Sequence, residues 1–151
     1  NLETMTELFV LEGKASNWQE ALAITARKLL DEGCVCDDFY ECCVKREQEY
    51  PTGLTDACPV AIPHTSSDHV KRQSICALRL EKPVAFRQID DDEAEMQAKF
   101  VLNLALVDDS EHIDIMMNLI HFLKDQETVE KMEQADLSSL KDLLRKNILV
   151  E

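Results

Sequence analysis

The chain has 151 residues, a length that suits one domain with its own core. Hydrophobic residues make up 45% and charged ones 30%, a balance too apolar for a disordered chain. Asp and Glu total 30 against 16 Lys and Arg, and the formal net charge of −14 repels phosphate backbones and anionic lipid, which argues against nucleic acid or a membrane surface as the main partner.

The elements follow in chain order. Leu8 to Leu11 reads as a short strand closed by Gly13. Ser16 with Gln19 makes a capping-box start, and Trp18, Ala21, Leu22, Thr25, Leu29 and Leu30 then keep helical spacing up to a stop at Gly33. A second helix is predicted from Asp37 to Tyr50, with Phe39, Tyr40, Cys43 and Val44 on one side and Pro51-Thr52-Gly53 ending it.

The period then changes. Pro59-Val60-Ala61-Ile62-Pro63 is extended, because each proline biases its predecessor away from helix. Ser74 to Leu80 alternates as a strand, and Val84-Ala85-Phe86 is a separate extended piece after Pro83. Asp90-Asp91-Asp92-Glu93-Ala94-Glu95 reads as a solvated loop or helix start. Lys99 to Val107 is nearly continuous apolar residues broken by Asn103, the pattern of a strand buried on both faces and far too short to span a bilayer.

The last third is helical. Ile113, Met116, Met117, Ile120 and Leu123 recur at amphipathic spacing, which predicts Met116 and Met117 in the core, with Asp108, Asp109 and Ser110 as cap candidates. Helices from Thr128 to Gln134 and from Ser138 to Lys146 follow. Helices at both ends and strands between them imply an α/β fold: a single layered domain with a central mixed β-sheet flanked by helices.

Six cysteines stand at positions 34, 36, 42, 43, 58 and 76. No secretory signal opens the sequence, so reduced thiols and a cytoplasmic location are expected. Cys34-x-Cys36 and Cys42-Cys43 lack paired C-x-x-C knuckles, so no metal is expected and the thiols read as small hydrophobes. No nucleophile elbow, phosphate loop, dinucleotide fingerprint or zinc-protease motif is present, and no cofactor is called for.

Four histidines remain as carriers of chemistry. His64 follows Pro63 at a strand end, where a fixed backbone can hold an imidazole at a sheet edge. Thr65, Ser66 and Ser67 add hydroxyls and backbone N–H groups in a loop suited to an anion. A nucleophilic histidine needs one ring nitrogen free and the other hydrogen-bonded. On local features alone a structural His64 stays open. His112 falls in the first turn of a helix, where a neutral imidazole can offer an N–H to phosphate, or simply face solvent. Lys45 and Arg46 close the second helix, where cations offset its dipole. His69 and His121 carry no assigned role.

A resemblance joins these residues. Lys45-Arg46-Glu47, Pro51-Thr52-Gly53-Leu54, Ala61-Ile62-Pro63-His64, Glu81-Lys82-Pro83-Val84-x-Phe86 and Leu104-Ala105-Leu106-Val107 leading to Glu111-His112-Ile113 follow in register. Together they resemble the enzyme IIA domains of the sugar phosphotransferase system, mannitol/fructose class, over roughly residues 5 to 146. The resemblance implies that His64 accepts a phosphoryl group from the phosphocarrier HPr and passes it to a cysteine of a partner IIB component. It implies that Arg46 and His112 hold the phosphoryl oxygens, while Thr65 and Ser66 are phosphate-loop candidates by their position beside His64. It also implies work beside a membrane IIC permease, with no insertion of this chain. Thr65 stands where the family usually has Gly and is similar to galactitol-type members, while His112 is similar to the mannitol and fructose branch, so the sugar stays open. Nitrogen-type relatives, which control other proteins instead of feeding a transporter, are the alternative. A metal- or redox-responsive domain built on Cys34, Cys36, Cys42 and Cys43 is the rival from another class.

Overall fold

A computed structural model describes residues 5–150. The strands are β1 (Glu7–Gly13), β2 (Gly53–Leu54), β3 (Val60–Ala61), β4 (Ser74–Arg87) and β5 (Glu95–Ala105). The helices are α1 (Trp18–Asp31), α2 (Phe39–Glu49), α3 (Ser110–Phe122), α4 (Gln126–Gln134) and α5 (Leu137–Ile148), with a 3₁₀ turn at Ser67–His69. The five strands form one mixed sheet in the order β1-β4-β5-β3-β2. β1 runs parallel to β4 and β3 parallel to β5, while β4–β5 and β3–β2 are antiparallel pairs. The expected α/β architecture, a mixed sheet between helices, is what forms.

Alternation along β5 divides the core. Phe100, Leu102 and Leu104 pack in one layer with Ile115 and Leu119 of α3 and Leu140 and Leu144 of α5. Ala105 turns to the other face, toward Leu22 and Leu29 of α1 and Cys43 of α2. Asn103 sits on that face fully buried, its amide N donating to Thr25 Oγ1 at 3.1 Å and its Oδ1 accepting from the Cys43 thiol at 3.9 Å. A buried amide with both ends engaged costs little, which is why a polar residue interrupts an otherwise apolar strand. All six thiols are free; Cys34, Cys43, Cys58 and Cys76 are buried among apolar side chains. The Cys34, Cys36, Cys42 and Cys43 set does not converge on one point among the described residues.

Several local expectations shift. The cap of α1 is Asn17, one residue after Ser16; its side chain accepts from Glu20 N at 2.9 Å, and the Glu20 carboxylate accepts from Ser16 N at 3.2 Å. Gly33 ends the turn with φ 74, a conformation glycine adopts without a Cβ clash. The extended piece after Pro83 is not separate: β4 runs continuously from Ser74 to Arg87, and a register shift between Arg79 and Val84 absorbs the proline. On α3 the predicted apolar stripe is buried only in part, through Leu123 and, at the core edge, Met116 and Ile120. His112, Ile115, Leu119 and Phe122 face the core, whereas Ile113 is 61% and Met117 59% exposed. Met116 is half-buried at the edge of the core. Asp90 to Ala94 form the exposed β4–β5 turn, closed by a 3.0 Å bond from Ala94 N to the Asp91 carbonyl.

Candidate active site

The proline-bounded strand β3 delivers His64 to the sheet edge. β3 ends at Ala61, and beyond it Leu104 N donates to the Pro63 carbonyl at 3.0 Å, so His64 bridges to Leu104 of β5. Its Nδ1 lies 2.9 Å from the carbonyl of Ile62, two residues back. A carbonyl only accepts, so Nδ1 carries the proton and Nε2 keeps its lone pair. Burial, reinforced by the positive charge of Arg46, pushes the imidazole down to about 4, so it is neutral at physiological pH.

The strand is itself held by a chain of hydrogen bonds that starts in α2. Glu47 is only 4% exposed, and its carboxylate accepts from Thr52 N at 2.8 Å and from the Thr52 hydroxyl at 2.9 Å. The Thr52 hydroxyl oxygen in turn accepts from Ile62 N at 3.1 Å. Glu47, Thr52, Ile62 and His64 therefore form one continuous series from helix to imidazole. Burial raises the Glu47 carboxyl to about 7, against the opposing pull of the Thr52 bonds and of Arg87 and Arg46. Arg87 closes the same corner, donating to the carbonyls of Glu47 and Gln48 at the open end of α2. At Gly53, just past Thr52, a Cβ would lie 2.7 Å from the Arg87 carbonyl oxygen and 2.7 Å from Met96 Cγ, so the backbone of β2 packs too closely for any side chain.

His112 arrives from the opposite side. Asp108 Oδ1 accepts from Ser110 N at 2.9 Å and from the Ser110 hydroxyl at 2.7 Å, which starts α3 and places His112 in its first turn. The Asp109 carbonyl accepts from His112 Nδ1 at 3.1 Å. The two imidazoles stack with ring centroids 4.4 Å apart and planes at 29°. His112 Nε2 is buried and lacks a hydrogen-bond partner, and burial lowers this imidazole below its ordinary value too. An orphaned ring nitrogen beside an open cleft is a group waiting for a ligand atom. Because Nδ1 holds the proton, His112 can donate to an anion through Nε2 only after taking up a second proton, which corrects the expectation of a neutral donor.

Arg46 in the last turn of α2 completes the cleft. Its guanidinium lies over the Tyr50 ring at 4.5 Å, which fixes a long side chain that would otherwise sample many rotamers. A cleft of about 870 Å³ brings together Arg46, His64, Thr65, Ser66 and His112. Thr65 is nearly buried, and no residue other than glycine among those described has positive φ, so Thr65 follows His64 without backbone strain. The Ser66 hydroxyl accepts from Asp68 N at 3.2 Å and caps the 3₁₀ turn. Ile89, Ile113 and Met116 supply apolar walls, while Asp90, Asp91, Asp92 and Asp109 supply an acidic rim. All five candidate residues from the sequence thus meet in one place. Glu47 and Thr52 were not singled out there for a role. The available signal was that Glu47 shares the buried i, i+4, i+8 stripe of Phe39 and Cys43, an odd place for a carboxylate without a job.

The arrangement offers a neutral, oriented nucleophile beside one fixed cation and one protonatable ring, which suits in-line attack on a phosphorus atom. Comparison with known proteins points the same way. The galactitol-specific EIIA component of Escherichia coli K12 is 29% identical over 147 residues, spanning 96% of this chain and 97% of its own. The crystal structure of the mannitol IIA of Escherichia coli superposes with a TM-score of 0.74 and 25% identity, over 91% of this chain and 95% of that one. A complex of the mannitol IIA with phosphorylated IIB from the same organism gives 0.75 at 24% identity, covering 93% and 94%. The nitrogen regulatory protein IIA-Ntr of Neisseria meningitidis shares the fold, with a TM-score of 0.71 at 18% identity over 95% and 98% of the two chains. Residues 4–146 match the profile of the phosphoenolpyruvate-dependent sugar phosphotransferase system EIIA 2 family, and the chain belongs to that family.

Proposed function

We propose that this protein is a sugar-uptake IIA component, acting in the cytoplasm as one IIA unit, with His64 as its transient phosphohistidine. The observation that supports this most is the bond from His64 Nδ1 to the Ile62 carbonyl, which leaves Nε2 as the nucleophilic nitrogen of that ring at an open cleft. In the forward step Nε2 forms a bond to phosphorus as the P–N bond of phospho-HPr breaks. In the second step the new P–N bond breaks as a cysteine thiolate of the partner IIB component attacks, and the sugar then receives the group through the IIC permease. Arg46 and protonated His112 hold the phosphoryl oxygens, with Thr65 and Ser66 at the loop beside them. The acidic rim at Asp90, Asp91 and Asp92 favours encounter with a basic donor, and the apolar wall favours docking. Transport is favoured over a regulatory role because a full-length relative at 29% identity is galactitol-specific, whereas the nitrogen regulatory neighbour shares 18%.

The test is phosphorylation by phosphoenolpyruvate, enzyme I and HPr, read by intact mass, beside His64→Ala. One acid-labile phosphoryl group on the wild type and none on a folded His64→Ala is expected. A folded wild type that stays unlabelled while the mannitol IIA is labelled in the same mixture would end the carrier reading. Discharge on addition of a galactitol- or mannitol-type IIB is expected; a stable phosphoprotein with every such IIB would favour the regulatory alternative.

A further inference from the structure

Away from the phosphoryl cleft, Asp38, Cys42 and His69 bring three different donor atoms together, all within 4.8 Å of one another. Asp38 caps α2 and Cys42 lies one turn on, so both side chains rise from one face of the helix at i, i+4 spacing. His69 enters from the far end of the loop that begins at Thr65. The turn is pinned there by the bond from Cys36 N to the His69 carbonyl at 2.9 Å and by the bridge between Val35 and Val70. His69 Nδ1 lies 3.1 Å from Asp38 Oδ1 and 3.8 Å from Cys42 Sγ.

These separations can be compared with a metal's own geometry. A tetrahedral zinc with bonds of about 2.0 Å to nitrogen and oxygen and about 2.3 Å to sulfur keeps its N and O ligands about 3.3 Å apart and its N and S ligands about 3.5 Å apart. The observed pair of distances differs from that pair by only a few tenths of an ångström. One thiolate, one imidazole and one carboxylate also match the borderline-soft preference of zinc better than the all-oxygen preference of calcium or magnesium. We propose that Asp38, Cys42 and His69 form a binding site for a divalent transition cation of the zinc class, with water in the fourth position. Binding expels the Cys42 thiol proton and moves the His69 Nδ1 proton, donated to Asp38 in the metal-free protein, to Nε2, so one proton is released to solvent for each ion bound. Burial and the negative charge of Asp38 hold that thiol above its ordinary value, and the cation relieves the second of these. The sequence pointed away from metal because it sought cysteine pairs, and this set uses one cysteine with two unlike partners.

The site lies beside the phosphoryl machinery without sharing a residue with it. Arg46 is one turn beyond Cys42 on α2, and His69 ends the loop that His64 opens, so a bound cation ties the Arg46 helix to the His64 loop.

The experiment uses the full chain, reduced and metal-free, titrated with Co²⁺ and then displaced by Zn²⁺. A thiolate-to-cobalt charge-transfer band saturating at one equivalent is expected. Zn²⁺ at about a hundredfold excess over its dissociation constant should raise the thermal midpoint by about 5–10 °C. Cys42→Ser and His69→Ala should each lose the band and the thermal shift, while Cys36→Ser and His64→Ala keep both. If Cys42→Ser fails to fold, His69→Ala and Asp38→Asn carry the test. No band at millimolar cobalt would overturn the proposal. So would a band that survives in Cys42→Ser and disappears in Cys36→Ser or His64→Ala.

Discussion

The imidazoles of His64 and His112 stack at 4.4 Å, each donating its Nδ1 proton to a backbone carbonyl, Ile62 for one and Asp109 for the other. Both Nε2 atoms therefore hold lone pairs in the unphosphorylated protein. Two such atoms repel a shared anion unless one takes up a proton.

That relationship yields the first expectation. Placing a phosphoryl dianion on His64 should draw a proton onto His112 Nε2, reversing the downward push that burial gives it. Proton NMR titration of the His112 ring, before and after phosphorylation, should show its midpoint moving clearly upward. An identical midpoint in both forms would mean that His112 does not contact the phosphoryl group. In the unphosphorylated protein the His64 ring should titrate near 4.

Arg46 is the fixed cation of the cleft, held over Tyr50. Arg46→Ala should slow single-turnover phosphoryl transfer by about 10²–10³-fold, the usual effect of removing one preorganised donor to a developing charge. Arg46→Lys should recover only part of the rate, because an ammonium lacks the planar fork. Transfer at full speed in Arg46→Ala would remove this residue from the mechanism.

Glu47 holds the strand that carries His64. Glu47→Ala leaves the Thr52 N–H and hydroxyl without their acceptor in a buried corner, a loss of about 1–3 kcal/mol in urea unfolding. The sign of its pH effect follows from the raised carboxyl. The folded protein keeps this proton up to about 7 and the unfolded chain loses it near 4.5, so the group's contribution is greatest below 4.5 and declines as pH rises through about 7. Subtracting the stability curve of Glu47→Gln from that of the wild type should isolate that decline. A flat difference between pH 4.5 and 8 would show that the carboxyl is not held up in the folded state.

Ile113 is exposed on the cleft wall while its helix neighbours Ile115 and Leu119 are buried. Ile113→Glu should leave thermal stability within about 0.5 kcal/mol of wild type. It should raise the KM for the phosphoryl donor by about tenfold, as expected for truncating an apolar interface contact worth about 1–2 kcal/mol. An unchanged KM would place docking elsewhere.

Parts of this architecture could be read from the chain because local chemistry and tertiary structure agree there. The two prolines around Val60-Ala61-Ile62 force extension, and the sheet uses that segment as β3. Pro83 misled because a proline ordinarily ends a ladder, yet a register shift lets β4 pass through it. On α3 two apolar arcs run side by side, and periodicity alone could not say which faced the core. The same ambiguity concealed the apolar wall of the cleft. His64, Arg46 and His112 were placed by resemblance to a family, and Thr65 and Ser66 by their position next to His64. Glu47 and Thr52 act through partners that only the fold brings together, so their spacing in sequence carried little sign of it.

The bond that orients His64 is made to the main-chain carbonyl of Ile62. Every amino acid supplies that oxygen, so the side chain at position 62 can vary without changing which ring nitrogen is presented. The aim of the ring therefore depends on the path of the backbone, while the Ile62 side chain, 1% exposed, answers to packing in the core.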